Sequence, residues 1–344
     1  MDGLTFRRGG PEDYAALLDL YAVAYGKTFS PEWLKWWNEE GPMANGLRLA
    51  CDGSRVVGAY GLFPLCLWLN HSAVKASLCT NVCVHPSLQG QGIFTALGRY
   101  ALAGEVPLRV PVSIGFPNAK ALPGHLKVGW EVVCKLPELV KRDCEYKPHK
   151  CERVEEFGRE VDFLYARLAP KFALLNVKSS VWLNWRLRRT GAAYTCFVVR
   201  DKQQIHGYVV LKRYGTKAHI CDLMAEDYDS LASLLDAAET FAEDSDELNT
   251  WTNVNDPWFV PLSDRGFIER DTTDKLIMRT NYGEKQTPDS DRPWHLASGC
   301  PQPGYPDLGL QRAEVSARGS AAASYRRAAT GLAQPFRTAA SPCL

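Results

Sequence analysis

A strand that stops at a proline, turns through two glycines and enters a helix at once constrains this chain more than any other run. It is Thr80–Tyr100, TNVCVHPSLQGQGIFTALGRY. Val82 and Val84 end the strand and Pro86 breaks it. Gly90 and Gly92 let the backbone turn where a side chain would clash. Leu97, Tyr100 and Ala101 then share one helix face. Such a turn aims several N–H groups at one spot, at the positive end of the helix dipole. That suits a diphosphate held without a large positive charge. The run is not a P-loop, because no G-K-[ST] follows. Nor is it a dinucleotide fingerprint, because the preceding strands read as antiparallel and the third glycine is missing.

The flanking sequence predicts the scaffold. Pro11–Gly26 reads as a helix, with an acidic first turn and a glycine stop. Ser30-Pro31-Glu32 opens a second helix carrying Trp33, Trp36 and Trp37. Leu47–Cys51 and Arg55–Leu62 pair through Asp52-Gly53, and Pro64–Leu69 pairs with Val74–Val84 through Asn70-His71-Ser72. After the glycine turn come a helix over Ile93–Ala103, a strand over Val112–Phe116, a helical stretch to Val128, and a strand over Trp130–Leu136.

Residues 1–140 thus read as one domain and 141–180 as a connector with a helical centre. Residues 181–282 read as a second block of strands (194–200, 205–213, 218–224), helix (230–243), strand (248–254), short helix (256–264) and strand (275–280). This repeats the element order of the first block's second half, so the spacing suggests a duplicated fold. From 283 to 344 the apolar period is lost and Lys vanishes after Lys285, so disorder is expected. The shift to Arg-rich sequence after Gly299 further suggests a frameshifted or foreign extension.

Composition excludes several classes. Charged residues make up 23% of the chain and the net charge is +1, which offers no field for nucleic acid or an acidic membrane. No apolar run reaches the ~18 residues of a membrane span. The 11 cysteines form no C-x-x-C and no disulfide framework. Cys79, Cys83 and His85 lack a fourth ligand at usual spacing, so no metal is expected. Reduced, buried thiols in a cytoplasm fit best.

The run V-H-P-S-L-Q-G-Q-G-I-F, residues 84–94, resembles the GNAT acyltransferase superfamily, which carries [QR]-x-x-G-x-[GA] after an antiparallel sheet. Gln89 and Gly92 match; Phe94 stands where Gly or Ala is usual. A subgroup resembling nucleotide-linked amino-sugar N-acyltransferases has G-x-G-[IL]-F there, then G-F-P-N and P-G-x-x-K-x-G-W. Both stand here, at Gly115–Asn118 and Pro123–Trp130. The resemblance implies an α/β (α+β) GNAT fold: a mixed, mostly antiparallel sheet flanked by helices, then a second, degenerate GNAT-like domain without the phosphate turn.

It also implies roles. The backbone of Val82, Cys83 and Val84 would bond the pantetheine arm of acetyl-CoA or another acyl-CoA. The amides of Leu88, Gln89, Gly90, Gln91, Gly92, Ile93 and Phe94 would hold its diphosphate. A wedge between strands 74–84 and 112–116 would hold the thioester, which the amine attacks directly. His125 falls where many members carry the tyrosine that protonates the leaving thiolate, and an imidazole can donate near neutral pH. Asn81 replaces a strand carboxylate; it cannot act as a base but can orient water or the amine. Asn118 could contact the cofactor or cap a helix. His85 reads as turn chemistry. The tryptophans and the run Thr252–Trp258 could line pockets, but core packing and helix capping are the favoured readings.

The expected activity is N-acyl transfer to a primary amine, possibly a nucleotide-linked amino sugar. A non-catalytic acyl-CoA-binding module, or a tandem transferase acting on a peptide or small amine, is the alternative. A transferase using aminoacyl-tRNA is disfavoured by the neutral surface. Oligomeric state is not legible.

Overall fold

Local chemistry sets the element ends. A computed structural model describes residues 3–42, 46–189, 191–202 and 204–296. The first half runs β1 (Leu4–Arg8), α1 (Tyr14–Tyr25), α2 (Pro31–Asn38), β2 (Gly46–Asp52), β3 (Arg55–Leu69), β4 (Ser72–Val84), α3 (Ile93–Ala103), β5 (Val112–Gly115), α4 (Leu122–Leu126) and β6 (Glu131–Lys135). Helix α1 stops at Gly26, which sits in the left-handed region at φ 65° and returns its N–H to Ala22. Ser30 caps α2 by accepting the Trp33 N–H at 3.1 Å.

Strand β3 is continuous through Pro64, where the sequence suggests a break. Its pairing with β2 ends at Leu62 and its pairing with β9 (Leu174–Val177) starts at Cys66. Pro64 therefore falls where that side of the strand has no neighbour to miss its absent N–H. The helix expected up to Val128 shrinks to the short α4 behind an Asn118 turn.

The first half ends with β7 (Glu138–Lys141), and the second runs β8 (Glu152–Val154), α5 (Glu160–Leu168), then β9. It continues with α6 (Ser180–Leu187), β10 (Thr195–Asp201), β11 (Gln204–Tyr214), β12 (Lys217–Ala225), α7 (Tyr228–Phe241), β13 (Glu247–Trp251), α8 (Phe259–Asp264), β14 (Ile268–Arg270) and β15 (Lys275–Thr280). A two-residue β16 (Trp294–His295) follows. The first sheet is ordered β1-β2-β3-β4-β5-β15-β6 and the second β14-β7-β13-β12-β11-β10-β8.

The two halves exchange their last strands, β7 and β15, and β9 and β16 add to the first sheet beside β3. β7 leaves the first half to sit between β13 and β14, and β15 returns to sit between β5 and β6. The two crossing segments touch: the Leu136 N–H donates to the Asp274 carbonyl at 3.0 Å, and the Thr272 hydroxyl donates to the Leu136 carbonyl at 2.7 Å. With β7 and β15 exchanged, the halves share one element order apart from β9. A sequence trace of this repeat is S-x-x-W-L-x-W, at Ser30–Trp36 and again at Ser179–Trp185. Both serines cap their helices in the same way.

The repeats meet through equivalent residues. The Trp36 indole N–H donates to the Trp185 carbonyl at 3.1 Å, and the Trp185 indole N–H donates to the Trp36 carbonyl at 3.3 Å. Their rings stack at 4.7 Å, and Trp185 also stacks on Phe63 of β3 at 5.3 Å. Trp33, Trp36 and Trp37 are all buried here, so this aromatic stripe is core. The core on this face runs through both halves, whereas a separate cluster lies under α3 on the other face of the first sheet.

Residues 283–296, expected to be disordered, form an ordered strap. The Arg292 guanidinium donates to the Asn70 carbonyl, the Asp289 N–H donates to the Asn70 side chain, and β16 runs parallel to β9. The rest of the expected tail lies outside the described residues, as does the suggested extension after Gly299. Among the described residues, no helix is long and apolar enough to cross a membrane.

Trp185→Ala should cost about 3–5 kcal/mol, as large aromatic truncations do. Chemical denaturation would show it as a lowered midpoint. Trp36→Ala should behave alike, and the double variant should lose less than the sum, since both remove one shared contact.

Candidate donor-binding cleft

The cleft is built by two parallel strands that start together and then part. β4 pairs with β5 only over Ala76–Cys79 against Val112–Gly115. Gly115 closes the vertex: a Cβ there would stand 3.3 Å from that of Cys79. Beyond the vertex β4 carries a bulge opposite β3, with Asn81 in the left-handed region at φ 53°. Asparagine tolerates that conformation better than most residues, which gives Asn81 a backbone reason to be there. It is buried.

Past the bulge, alternate backbone groups face the opening. The Val82 carbonyl accepts the Tyr25 hydroxyl at 3.1 Å and the Val84 carbonyl accepts the Gln89 side-chain amide at 3.1 Å. The His85 N–H instead donates to Val57 on β3. By the same alternation Cys83, opposite Ala59, turns its backbone to β3. Of the three residues expected to offer main chain to a pantetheine arm, Val82 and Val84 are oriented for it and Cys83 is not.

The glycine turn divides similarly. The Leu88 N–H donates to His85 and the Gln89 N–H to Pro86, closing a 3-10 turn over Pro86–Leu88. Those two amides are spent internally, contrary to the sequence expectation. The N–H groups of Gly90, Gln91, Gly92, Ile93 and Phe94 have no acceptor among the described residues. Gly90 and Gly92 sit at φ 79° and 83°, and a Cβ on either would meet open space. Their glycine identity answers to backbone conformation, and the space above them is free. Open amides at a helix N-terminus form an anion cradle.

Phe94 turns its ring away from that cradle and onto α4. A Cβ on Gly124 would come within 2.5 Å of the Phe94 ring. The phenylalanine and the glycine of the two motifs are therefore one size-matched contact.

His125 closes the same cluster. Its ring is met edge-on by Phe94 at 5.0 Å and Trp130 at 5.5 Å, with Tyr60 at 5.9 Å. Nδ1 lies 3.3 Å from the Tyr60 hydroxyl, while Nε2 has no hydrogen bond among the described residues. Burial pushes the imidazole down to about 4. A cation near neutral pH, which the sequence allows, is therefore disfavoured here. Burial also pushes the Cys79 and Cys83 thiols up to about 12.

The remaining candidates take structural posts. Asn118 caps the approach to α4 by accepting the Ala121 N–H at 2.9 Å. His85 caps the 3-10 turn, and its Nε2 faces the Arg55 guanidinium at 2.7 Å. Its Nδ1 accepts the Ser87 N–H at 3.3 Å and lies 2.8 Å from the Ser87 hydroxyl. In the loop after β13, Asn253 accepts the Asn255 N–H and Asp256 accepts the Trp258 N–H. The sequence reading missed Tyr25, whose hydroxyl reaches the bulge from the end of α1; no motif marks it.

The second half has a similar parting of β12 and β13, paired only over Lys217–His219 with Glu247–Asn249. Its turn, however, is Glu226-Asp227, without glycine. Asp227 accepts the Ser230 N–H at 2.8 Å and Glu226 is paired with Arg167 at 3.0 Å. Carboxylates stand where a diphosphate would need amides.

The family model for the acetyltransferase (GNAT) domain matches residues 5–133, which span β1 to β6, the parted strands and the open amides. The chain carries a GNAT acetyltransferase domain. Solved structures agree in fold. A GCN5-related N-acetyltransferase from Anabaena variabilis is 15% identical with a TM-score of 0.68, over 81% of this chain and 73% of that one. A conserved protein of unknown function from Enterococcus faecalis, described as a probable N-acyltransferase, is 13% identical with a TM-score of 0.63, over 80% and 72%. A GCN5-related N-acetyltransferase from Kribbella flavida is 14% identical with a TM-score of 0.60, over 80% and 71%. No curated protein matches the sequence.

Gly124→Ala should destabilise the GNAT domain by ~1–3 kcal/mol through overpacking on Phe94. Adding Phe94→Leu should recover much of that loss in urea titrations.

His125 supplies a second test. Its folded value of about 4 lies below the ordinary 6.5. The unfolded chain then binds the proton first as pH falls. Stability from this site is complete above pH 6.5 and is lost between 6.5 and 4, by up to ~3 kcal/mol. His125→Phe should flatten the fall in denaturation midpoint across that window.

Proposed function

We propose that this chain moves an acyl group from an acyl-CoA to a primary amine by direct attack on the thioester. The observation that carries the reading is the open amide set of Gly90–Phe94 beside the parted strands β4 and β5. The amides would hold the diphosphate, and the Val84 N–H and Val82 main chain would align the pantetheine arm as an added strand. A main-chain N–H at the bulge would stabilise the oxyanion. Holding donor and amine together supplies much of the rate, since effective molarity can contribute ~7–11 kcal/mol.

Direct attack is favoured over a cysteine relay by the thiols themselves. With Cys79 and Cys83 held at about 12, the thiolate fraction at neutral pH is negligible. Asn81 offers no base, so the amine must arrive unprotonated or pass its proton to water. The neutral imidazole of His125 would serve as a hydrogen-bonding group that holds Tyr60 and Phe94, not as an imidazolium. The altered turn at Glu226-Asp227 supports one donor per chain.

For the acceptor we propose a nucleotide-linked amino sugar. This rests on the coupled motifs at Gly92–Phe94 and Pro123–Trp130, whose contact through Phe94 and Gly124 is physical. A peptide or a small amine would use the same chemistry.

Calorimetry with acetyl-CoA and a thiol-release assay with UDP-linked amino sugars, peptides and small amines test the reading together. Expected are one binding site, turnover with an amine, no acyl group on protein by intact mass, and activity surviving Cys79→Ser and Cys83→Ser. Binding without turnover for any amine would instead favour a non-catalytic acyl-CoA module. Absence of binding would remove the donor reading altogether.

A further inference from the structure

Thr80 is the first residue of β4 past the vertex of the parted strands, since the pairing with β5 ends at Cys79. Strand alternation sets its side chain on the face of Leu78, which packs with α1 and α2, whereas Cys79 packs on the face of α3. A Cβ on Gly61, its partner on β3, would lie 3.5 Å from Thr80 Cγ2, so β3 places no side chain beside it on that face. Thr80 is buried, yet its Oγ1 has no hydrogen-bond partner among the described residues. A buried orphan hydroxyl costs stability, and valine offers the same shape without it. Packing therefore gives no reason for threonine here, and a ligand would. The α3 face of the vertex is already closed: Tyr60, Cys79, Trp130 and His125 are all buried, and the His125 ring meets those of Tyr60 and Trp130. An acceptor therefore reaches the thioester from the face of α1 and α2, where Thr80 stands.

We propose that the Thr80 hydroxyl holds the acceptor amine. The proposal rests on the acyl-CoA reading given above and names the group that receives the amine at the same site. A hydroxyl rotates to suit its partner, so Oγ1 turns a lone pair toward one N–H of the amine. That contact leaves the nitrogen lone pair aimed at the thioester carbon. As the C–N bond forms, the carbonyl π pair moves onto oxygen and nitrogen takes on positive charge. The N–H···Oγ1 bond is then charge-assisted, and so is stronger in the transition state than in the bound substrate. When the oxygen pair returns, the C–S bond breaks with its electrons on sulfur. The surplus proton on nitrogen passes to water, and a proton from water reaches the thiolate, so none is gained or lost. Thr80 itself neither gives nor takes a proton; it fixes the direction of attack.

The test is Thr80→Val in the full chain, which keeps the shape and removes the hydroxyl, beside Thr80→Ser, which keeps the hydroxyl. Donor affinity is measured by calorimetry with acetyl-CoA, and kcat and acceptor KM by thiol release with an amine the wild type accepts. Expected for Thr80→Val is a fall in kcat of roughly 10-fold or more, the size of one charge-assisted hydrogen bond, with acceptor KM within about threefold and Kd for acetyl-CoA within about twofold. Its thermal midpoint should equal or exceed that of the wild type, because an orphan hydroxyl has been removed. Thr80→Ser should keep kcat within about threefold of wild type. A Thr80→Val enzyme as fast as that overturns the proposal, and so does a serine variant as slow as the valine one. A midpoint lowered by valine and kept by serine overturns it too, since the hydroxyl would then have a partner inside the fold. A loss that appears only as weaker acetyl-CoA binding assigns Thr80 to the donor and overturns it as well. If the wild type gives no heat with acetyl-CoA or turns over no amine, the acyl-transfer reading fails first and takes this proposal with it. A wild type that binds and turns over beside an equally fast Thr80→Val sinks this proposal alone.

Discussion

The exchange of β7 and β15 between the two sheets is the constraint on which the cleft depends. The wall formed by β5 is four residues long, and alone it would be a frayed edge. It is held by β15, which pairs with it from Val112 to Gly115 and sets Ile277 against Gly115 at the vertex. Arg279 of the same strand donates to the Val128 carbonyl, just after the helix α4 that carries His125. The position of the parted strands is thus fixed by residues far along the chain. The reciprocal Trp36–Trp185 pair locks the two repeats on the face opposite α3, so the exchanged strands cannot slide without disturbing a tryptophan core.

The sequence made the cleft's local parts legible and its assembly illegible, for one reason. Gly90, Gly92, Gly26 and Ser30 do their work within a few residues, through positive φ or a cap, and the spacing alone reveals them. A strand exchange involves partners more than a hundred residues apart, and β6 and β7 have no turn signal to show that the chain changes sheets. β9 was hidden within a charged connector because its four residues are too short to display alternation. The strap over 283–296 was hidden by its composition: it is held by hydrogen bonds to Asn70 and by Trp294, not by an apolar period. One signal was available, the S-x-x-W-L-x-W repeat, which marks the duplication without any three-dimensional information.

Roles assigned by position fared less evenly than geometry. His125 stands on the helix where a proton donor belongs by resemblance, yet Phe94, Trp130 and Tyr60 surround it and keep it neutral. Phe94 departs from the usual small residue, and only the contact with Gly124 explains how the departure is accommodated. Tyr25 had no motif, and only its reach to Val82 brings it to notice. Side-chain environment, which depends on several distant elements at once, decides these cases; residue type does not.

Strand exchange also has a consequence for biosynthesis. When β6 leaves the ribosome, the first sheet still has a vacant lane between β5 and β6, and it stays vacant until β15 emerges. At ~5–20 residues per second, that wait lasts roughly seven to thirty seconds. Throughout it, two unpaired strand edges are open to any extended chain nearby. A cell making this protein quickly has reason to keep holding factors close to the ribosome, and slow codons ahead of Lys275 would work against it.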